Sequence, residues 1–156
     1  MVYSAGLIPF RENETTGEIE FFVGHPGGPY QTAKDIWYFL KGGVEQHESW
    51  DEAAIREFKE ETGLSMDDCE SSMLIDLGTT QQNSYKRVVA FGIHYPNIDP
   101  NKCVSNFCED GIHREIDRYA WMTYRDLKPL THPTHLQFYK QLLEMCGIDP
   151  KDLENK

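Results

Sequence analysis

Residues 42–64 read GGVEQHESWDEAAIREFKEETGL, and this stretch predicts an acidic α-helix with a turn at each end. Ser49 stands three residues before Glu52, which is the spacing of a capping box, where each side chain accepts a hydrogen bond from the other residue's backbone N–H. Gly63 suits the position just beyond a helix end, where the backbone often takes a positive φ. We therefore predict a helix from Trp50 to Thr62.

Acidic side chains crowd one side of this predicted helix. Glu57, Glu60 and Glu61 stand at i, i+3 and i+4, so their carboxylates gather where like charges repel. The other side of the helix carries the apolar residues Ala54, Ile55 and Phe58, so we expect that side to pack on a sheet. Clustered carboxylate oxygens suit Mg²⁺ or Mn²⁺. The alternative is a solvated acidic face, supported by pairs such as Glu52 with Arg56.

The order of residues in this stretch resembles the Nudix box, GX5EX7REUXEEXGU, in which U is an apolar residue. Gly42 and Glu48 are followed, at the spacing of the box, by REFKEETGL at residues 56–64, so that every position matches. Outside the box, Trp37 and the Lys41–Gly42 pair are also similar to Nudix proteins.

The resemblance implies an α/β fold, specifically a Nudix-type α/β/α sandwich with a mixed central sheet, in a single domain over residues 1–156. It also implies a hydrolase that depends on Mg²⁺ or Mn²⁺. Such an enzyme cleaves the pyrophosphate linkage of a nucleoside diphosphate linked to another moiety, by attack of water on phosphorus. Dinucleoside polyphosphates and nucleoside triphosphates are the favoured substrates. The alternative is a non-catalytic Nudix-like domain that binds or senses a nucleotide.

The resemblance assigns roles to the residues of the box. Divalent metal is expected on three carboxylates, those of Glu57, Glu60 and Glu61, one of which would orient or deprotonate water. The backbone carbonyl of Gly42 is expected to be a further metal ligand. Arg56 is expected to orient the carboxylates, and Glu48 to pair with it or to support the metal. The predicted catalytic residues are therefore Glu48, Arg56, Glu57, Glu60 and Glu61.

Many Nudix enzymes recruit an additional metal-binding glutamate from a later loop. Glu115, in the segment REIDRYAW, resembles that residue. Glu109 and Asp110 are its rivals, because the loop that carries all three is long.

Substrate contacts are predicted on both sides of the box. Trp37 and Tyr85 offer rings on which a base could stack, and Arg87 and Lys41 offer positive charge to phosphates. Tyr85 resembles a tyrosine of dinucleoside-polyphosphate hydrolases, although it lies farther from the box. Other aromatic residues near the predicted groove are His25, Tyr30, Tyr38 and Phe39.

Composition limits the partners that we expect. The 156 residues carry a formal net charge of −11, which argues against a stable nucleic-acid complex and against binding to an anionic membrane. The expected partner is a small nucleotide held through cations. With no apolar run near about 20 residues and no signal peptide, a cytoplasmic protein is expected. The oligomeric state is open.

The remaining elements follow from apolar stretches bounded by glycine, proline and polar residues. We predict strands near residues 3–10, 18–24, 73–77, 87–95 and 119–122, with a further apolar stretch at 36–40. A closing amphipathic helix is predicted over residues 131–146, with Cys146 on its apolar face and Gly147 as its end. This mixed order indicates helices on both faces of a sheet.

Overall fold

A mixed six-stranded sheet forms the centre of the protein, as seen in a computed structural model that describes residues 1–28 and 35–154. The strands are β1 (Val2–Glu12), β2 (Ile19–Pro26), β3 (Leu40–Gly43), β4 (Ile75–Gln81), β5 (Lys86–His94) and β6 (Ile116–Thr123). Their order is β4-β5-β1-β2-β6, and β3 pairs with β1. The β1–β5 pair is parallel and the other pairs are antiparallel, which confirms the predicted mixed sheet.

Helices lie on both sides of this sheet and bury two apolar layers. The helices are α1 (Trp50–Thr62), α2 (Tyr124–Leu127), α3 (Leu136–Met145) and α4 (Pro150–Glu154). Side chains of β1 alternate between the layers, so that Leu7 packs with Phe58 of α1 while Ile8 packs with Phe138 of α3. The fold is therefore the predicted sandwich, with α1 and α3 on opposite faces.

The local signals around α1 predicted its bounds correctly. Ser49 and Glu52 form the capping box, since each accepts a hydrogen bond from the other residue's backbone N–H. Gly63 has φ 72° and its N–H donates to the carbonyl of Lys59 at 2.8 Å. Ala54 and Phe58 are buried against the sheet as predicted, whereas Ile55 is only partly buried.

Some details of the local structure differ from the sequence analysis. The apolar stretch at residues 36–40 contributes only Leu40 to β3, because the residues that pair with β1 are Leu40–Gly43. The last main helix begins at Leu136, since Pro133–His135 forms a separate 3₁₀ turn in which the side chain of His132 accepts from the Thr134 N–H. Cys146 is exposed at the end of α3 and does not belong to its apolar face.

Two further elements and one structured loop were not predicted. The short helices α2 and α4 pack beside β6 and α3. Part of the long connection before β6 forms a hairpin, residues 104–116, closed by the Phe107–Arg114 bridge and by the Cys108 N–H donating to the carbonyl of His113 at 2.7 Å. Among the described residues, no helix is both long and apolar enough to cross a membrane.

Candidate active site

The acidic face of α1 lies against the end of β3. Glu57 projects toward Gly42, where a Cβ atom would overlap the Glu57 carboxyl group. Gly42 pairs with Ala5 of β1, so the close approach is fixed by the sheet register. Only glycine therefore leaves room at this position for the carboxylate and the backbone to face each other.

Glu61, one turn further along α1, is the most perturbed carboxyl group of this face. Burial and, to a smaller extent, the negative charges of Glu57 and Glu115 together raise its pKa to about 8, while Lys41 opposes the change. Its Oε2 atom is buried and has no hydrogen-bond partner among the described residues. A buried oxygen without a partner costs about 1–3 kcal/mol, so this carboxyl group requires a proton or a cation.

Arg56 ties the acidic face of α1 to the loop before it. Its Nε and Nη2 atoms donate to the two carboxylate oxygens of Glu48 at 2.6 and 2.9 Å, and Nη2 also donates to the carbonyl of Gly43 at 2.9 Å. Nη1 donates to Glu57 at 2.9 Å and to Glu60 at 3.3 Å. The guanidinium lowers the pKa of Glu48, and the carboxylates of Glu48 and Glu57 raise the pKa of Arg56. Arg56 thus orients three carboxylates at once.

The carboxylates of the site differ in burial and in charge environment. Burial raises the pKa of Glu57, with Arg56 opposing it, whereas the side chain of Glu60 is 47% exposed. Glu115 lies just before β6, where its N–H donates to the carbonyl of Asn106 at 2.8 Å. The charge of Glu115 raises the pKa of both Glu57 and Glu61. Its predicted rival Glu109 lies in the turn at the tip of the 104–116 hairpin. Glu115 is therefore the later glutamate that shares the electrostatics of the α1 acids.

The donor chemistry of these residues fits a hard divalent cation, but the side chains are not yet arranged around one. Within residues 1–28 and 35–154, no three His, Cys, Asp or Glu side chains form a ready metal-binding group. The Nη1 atom of Arg56 donates to both Glu57 and Glu60, so these two carboxylates are engaged with the guanidinium. The unpartnered Oε2 of Glu61 and the close approach of the Glu57 carboxylate to the backbone of Gly42 are the features that a cation would complete.

Lys41 lies on the opposite face of β3 from Gly42. Burial and, to a smaller extent, the nearby ammonium of Lys86 together lower its pKa to about 8. His132 and the buried His135 are also close, since the charge of Lys41 contributes to lowering the pKa of both imidazoles. The sequence pattern predicted Lys41 but missed the two histidines, because nothing local marks them as its neighbours.

The other predicted substrate residues are spread more widely. Tyr85 is 65% exposed in the β4–β5 turn, and Arg87 donates to the Thr79 hydroxyl at 3.2 Å. Trp37 is only 9% exposed and packs in the α3-side core, where its Nε1 donates to Asp35 at 3.0 Å. Among the described residues, Lys41 is the only one of the four predicted substrate residues that has a charge interaction with an acid of α1, namely Glu61. Tyr30 lies outside the described residues.

Comparison with known proteins shows which family the chain belongs to. A family model described as NUDIX domain matches residues 4–142. The chain belongs to the Nudix family. The match confirms the resemblance seen in the box and, with the motif intact, supports a pyrophosphohydrolase in a family that generally depends on divalent metal. No curated protein sequence matches this Nudix protein at a significant level.

Solved structures share the fold of this Nudix protein. A C. elegans Ap4A hydrolase in a binary complex is 20% identical, with a TM-score of 0.63 over 95% of this chain and 100% of that one. The NUDIX domain of Shewanella oneidensis NrtR complexed with ADP ribose is 12% identical, with a TM-score of 0.64 over 92% and 88%. A MutT/nudix family protein from Enterococcus faecalis is 15% identical with a TM-score of 0.59, and the match spans 78% of this chain but 43% of that one.

Proposed function

We propose that this Nudix protein is a divalent-metal-dependent pyrophosphohydrolase. Its substrate would be a nucleoside diphosphate linked to another moiety, with dinucleoside polyphosphates and nucleoside triphosphates favoured. The observation that carries the proposal is the buried, unpartnered Oε2 of Glu61, in a carboxyl group whose charge is opposed by Glu57 and Glu115. Such an arrangement is costly in a resting protein and is favourable once a cation is bound.

The residues that would hold Mg²⁺ or Mn²⁺ are the carboxylates of the site together with one carbonyl, namely Gly42, Glu57, Glu60, Glu61 and Glu115. When bound, the cation would neutralise phosphate charge and favour the hydroxide form of a bound water. Arg56 would hold Glu57 and Glu60 in place through the bonds described above, and Glu48 would fix Arg56 in turn.

In the hydrolysis itself, a water oxygen forms a bond to phosphorus while the anhydride P–O bond breaks. The proton of that water must pass to a base, and the carboxylates of α1 are the available bases beside the attacked phosphate. Lys41 would meet the phosphates from the other face of β3, where it is partly buried and has Lys86 as a cationic neighbour. We keep Trp37, Tyr85 and Arg87 as proposed substrate contacts, Trp37 requiring movement of its surroundings.

The substrate class is chosen from two considerations. The C. elegans structure is named an Ap4A hydrolase and the Shewanella domain is named as a complex with ADP ribose, so both similar folds are associated with nucleotides that contain an anhydride linkage. The paired Lys41 and Lys86 favour a substrate with phosphates beyond the two that flank the broken bond.

The experiment is a chromatographic assay of dinucleoside polyphosphates, nucleoside triphosphates and ADP ribose, each with Mg²⁺, Mn²⁺ or EDTA. We expect cleavage of one class in the presence of metal and none in EDTA. Glu61→Gln should reduce turnover by orders of magnitude, while Glu144→Gln, at an exposed position of α3, should not. Cleavage that is unchanged in EDTA contradicts the proposal, and nucleotide binding with no cleavage under any condition indicates a binding or sensor domain instead.

A further inference from the structure

A closed ring of contacts joins Lys41 and Lys86 to a buried histidine and a glutamine. Lys41 Nζ lies 5.9 Å from the ring centroid of Tyr38, and the Tyr38 ring lies 5.9 Å from the imidazole of His135. Nε2 of His135 is 2.9 Å from Oε1 of Gln82. The Gln82 N–H donates to the carbonyl of Lys86 at 2.9 Å, and Lys86 meets the Lys41 ammonium at hydrogen-bond range. These five residues therefore lie together.

The strand register places the side chains of Gln82 and Lys86 next to each other. Gln81 of β4 pairs with Arg87 of β5, so the next pair toward the turn is Gln82 opposite Lys86. Residues opposite each other on antiparallel strands direct their side chains to the same face, with Cβ atoms about 5 Å apart. Lys86 lies two residues before Val88, which belongs to the core on the α3 side. Both side chains therefore point to the α3 side of the sheet.

His135 determines which end of the Gln82 amide stays free. Its imidazole is fully buried, and burial, assisted mainly by the charge of Lys41, lowers its pKa to about 2, so the ring is neutral. An amide oxygen only accepts, so the single ring proton lies on Nε2 and donates to Oε1 of Gln82. Within the part of the chain that the structure describes, the amide nitrogen of Gln82 has no partner and keeps both of its N–H donors.

We propose that Gln82 is a further substrate-binding residue, which donates an amide N–H to a phosphate oxygen, and that His135 is its positioning residue. The inference rests on the proposed function, since these are the phosphates that Lys41 and Lys86 would meet. A glutamine without a partner can present its oxygen or its nitrogen, and only the nitrogen attracts phosphate. The hydrogen bond from His135 fixes the favourable orientation before binding, which reduces the side-chain entropy lost.

The test is calorimetric titration of the full chain in EDTA with inorganic tripolyphosphate, which carries phosphates but no base. Gln82→Glu keeps an acceptor for His135 and replaces the free donors with a charged oxygen, so it should weaken binding about tenfold or more. Gln82→Leu removes the donors without adding charge and should weaken binding about threefold or more.

The matched control is Gln81→Glu, which adds the same charge at the adjacent, exposed position on the other face of β4. At 0.15 M salt, charges on the surface are screened over about 8 Å, so this control should change the affinity much less than Gln82→Glu does. Equal loss of affinity in Gln81→Glu and Gln82→Glu overturns the inference, because it assigns the effect to charge alone.

The positioning role of His135 is tested by rescue. His135→Phe keeps an aromatic ring in the core but removes the hydrogen bond to Gln82, so its affinity should fall toward that of Gln82→Leu. His135→Gln should restore part of the loss, because its amide N–H reaches about the place of Nε2. Urea unfolding establishes that each variant is folded before titration. Wild-type affinity in His135→Phe overturns the positioning role.

A spectroscopic readout tests the contact itself. The side-chain NH₂ resonances of Gln82 are identified by their loss in Gln82→Leu, and they should shift when tripolyphosphate is added to the wild type. Unchanged Gln82 resonances at saturating tripolyphosphate overturn the inference. This measurement uses the wild-type protein, so it does not depend on whether a His135 variant folds.

The titration also separates this inference from the proposed function, which is tested by metal-dependent cleavage. If Lys41→Met weakens tripolyphosphate binding while Gln82→Glu and Gln82→Leu bind as the wild type does, the inference about Gln82 is overturned and the phosphate role of Lys41 stands. If the wild type does not bind tripolyphosphate, the roles of both residues are overturned. Loss of affinity in both Gln82 variants supports the inference, whether or not the chain cleaves any nucleotide.

Discussion

Replacing Glu61 with glutamine should stabilise the metal-free protein while abolishing most of its activity. The pKa of this carboxyl group is raised from 4.5 to about 8 by burial and by neighbouring carboxylates. In the unfolded chain at pH 7 the group is ionised, whereas in the folded, metal-free protein it is mostly protonated. From the unfolded pKa of 4.5 up to pH 7, each pH unit costs about 1.4 kcal/mol. At pH 7 the buried carboxyl group therefore lowers the free energy of unfolding by about 3 kcal/mol.

The sign of the pH dependence follows from the direction of this shift. Because the pKa of Glu61 is higher in the folded protein than in the unfolded chain, folding carries no penalty from this group below its unfolded pKa. As the pH rises from there toward about 8, the unfolded chain ionises first and the folded protein loses stability. Glutamine does not titrate, so the advantage of Glu61→Gln should grow from below about 1 kcal/mol at pH 5 to as much as about 3 kcal/mol at pH 7.

Urea unfolding in EDTA at both pH values measures this difference directly. Glu144→Gln is the control, since Glu144 is exposed on α3 and should show no comparable gain with pH. Addition of Mg²⁺ should stabilise the wild type more than Glu61→Gln, because only the wild type presents the full carboxylate site. A stability difference that stays constant between pH 5 and pH 7 would refute the reasoning, as would equal stabilisation of both proteins by Mg²⁺.

Three other substitutions test separate parts of the site. Gly42→Ala should sharply reduce turnover, because the added Cβ displaces the Glu57 carboxylate. A rate assay at saturating metal measures the turnover, and full activity would contradict the contact between Gly42 and Glu57. Gly63→Val should destabilise the protein by about 2 kcal/mol or more in urea unfolding, since φ is 72° there, and unchanged stability would mean that α1 does not end in this conformation. Arg56→Gln should lower both turnover and stability, by about 1–3 kcal/mol, through loss of its charged hydrogen bonds to Glu48; normal values of both would remove its positioning role.

The elements that the sequence predicted well are those defined by neighbours in the chain. The capping box at Ser49 and the left-handed Gly63 act within a few residues of α1, so both ends of that helix could be predicted. The start of α3 was missed because Pro133 allows a helix to begin but does not require one, and a 3₁₀ turn forms first. The bounds of β3 depend on pairing with β1, which no pattern within residues 36–43 encodes.

The same distinction applies to the candidate site. The box predicted that Glu57, Glu60 and Glu61 share a helix face, because helical spacing is local. The proximity of Glu115 to these acids depends on the 104–116 hairpin, which is joined to a distant segment by the Gly27 N–H donating to the carbonyl of Glu115. Burial of Trp37 depends in the same way on α3 and β2, so its aromatic character alone could not distinguish stacking on a base from packing in the core.

The register of β3 links the two sides of the proposed site and leads to a final prediction. Adjacent residues of a strand face opposite ways, so Gly42 faces the acids of α1 while Lys41 faces Lys86. Without metal, nucleotide binding should therefore depend on Lys41 and Lys86. In EDTA, Lys41→Met should weaken binding of a non-hydrolysable nucleotide about tenfold, whereas Glu61→Gln should not weaken it, because removing a negative charge relieves repulsion of phosphate. If Glu61→Gln weakens metal-free binding as much as Lys41→Met does, the two faces do not have separate roles.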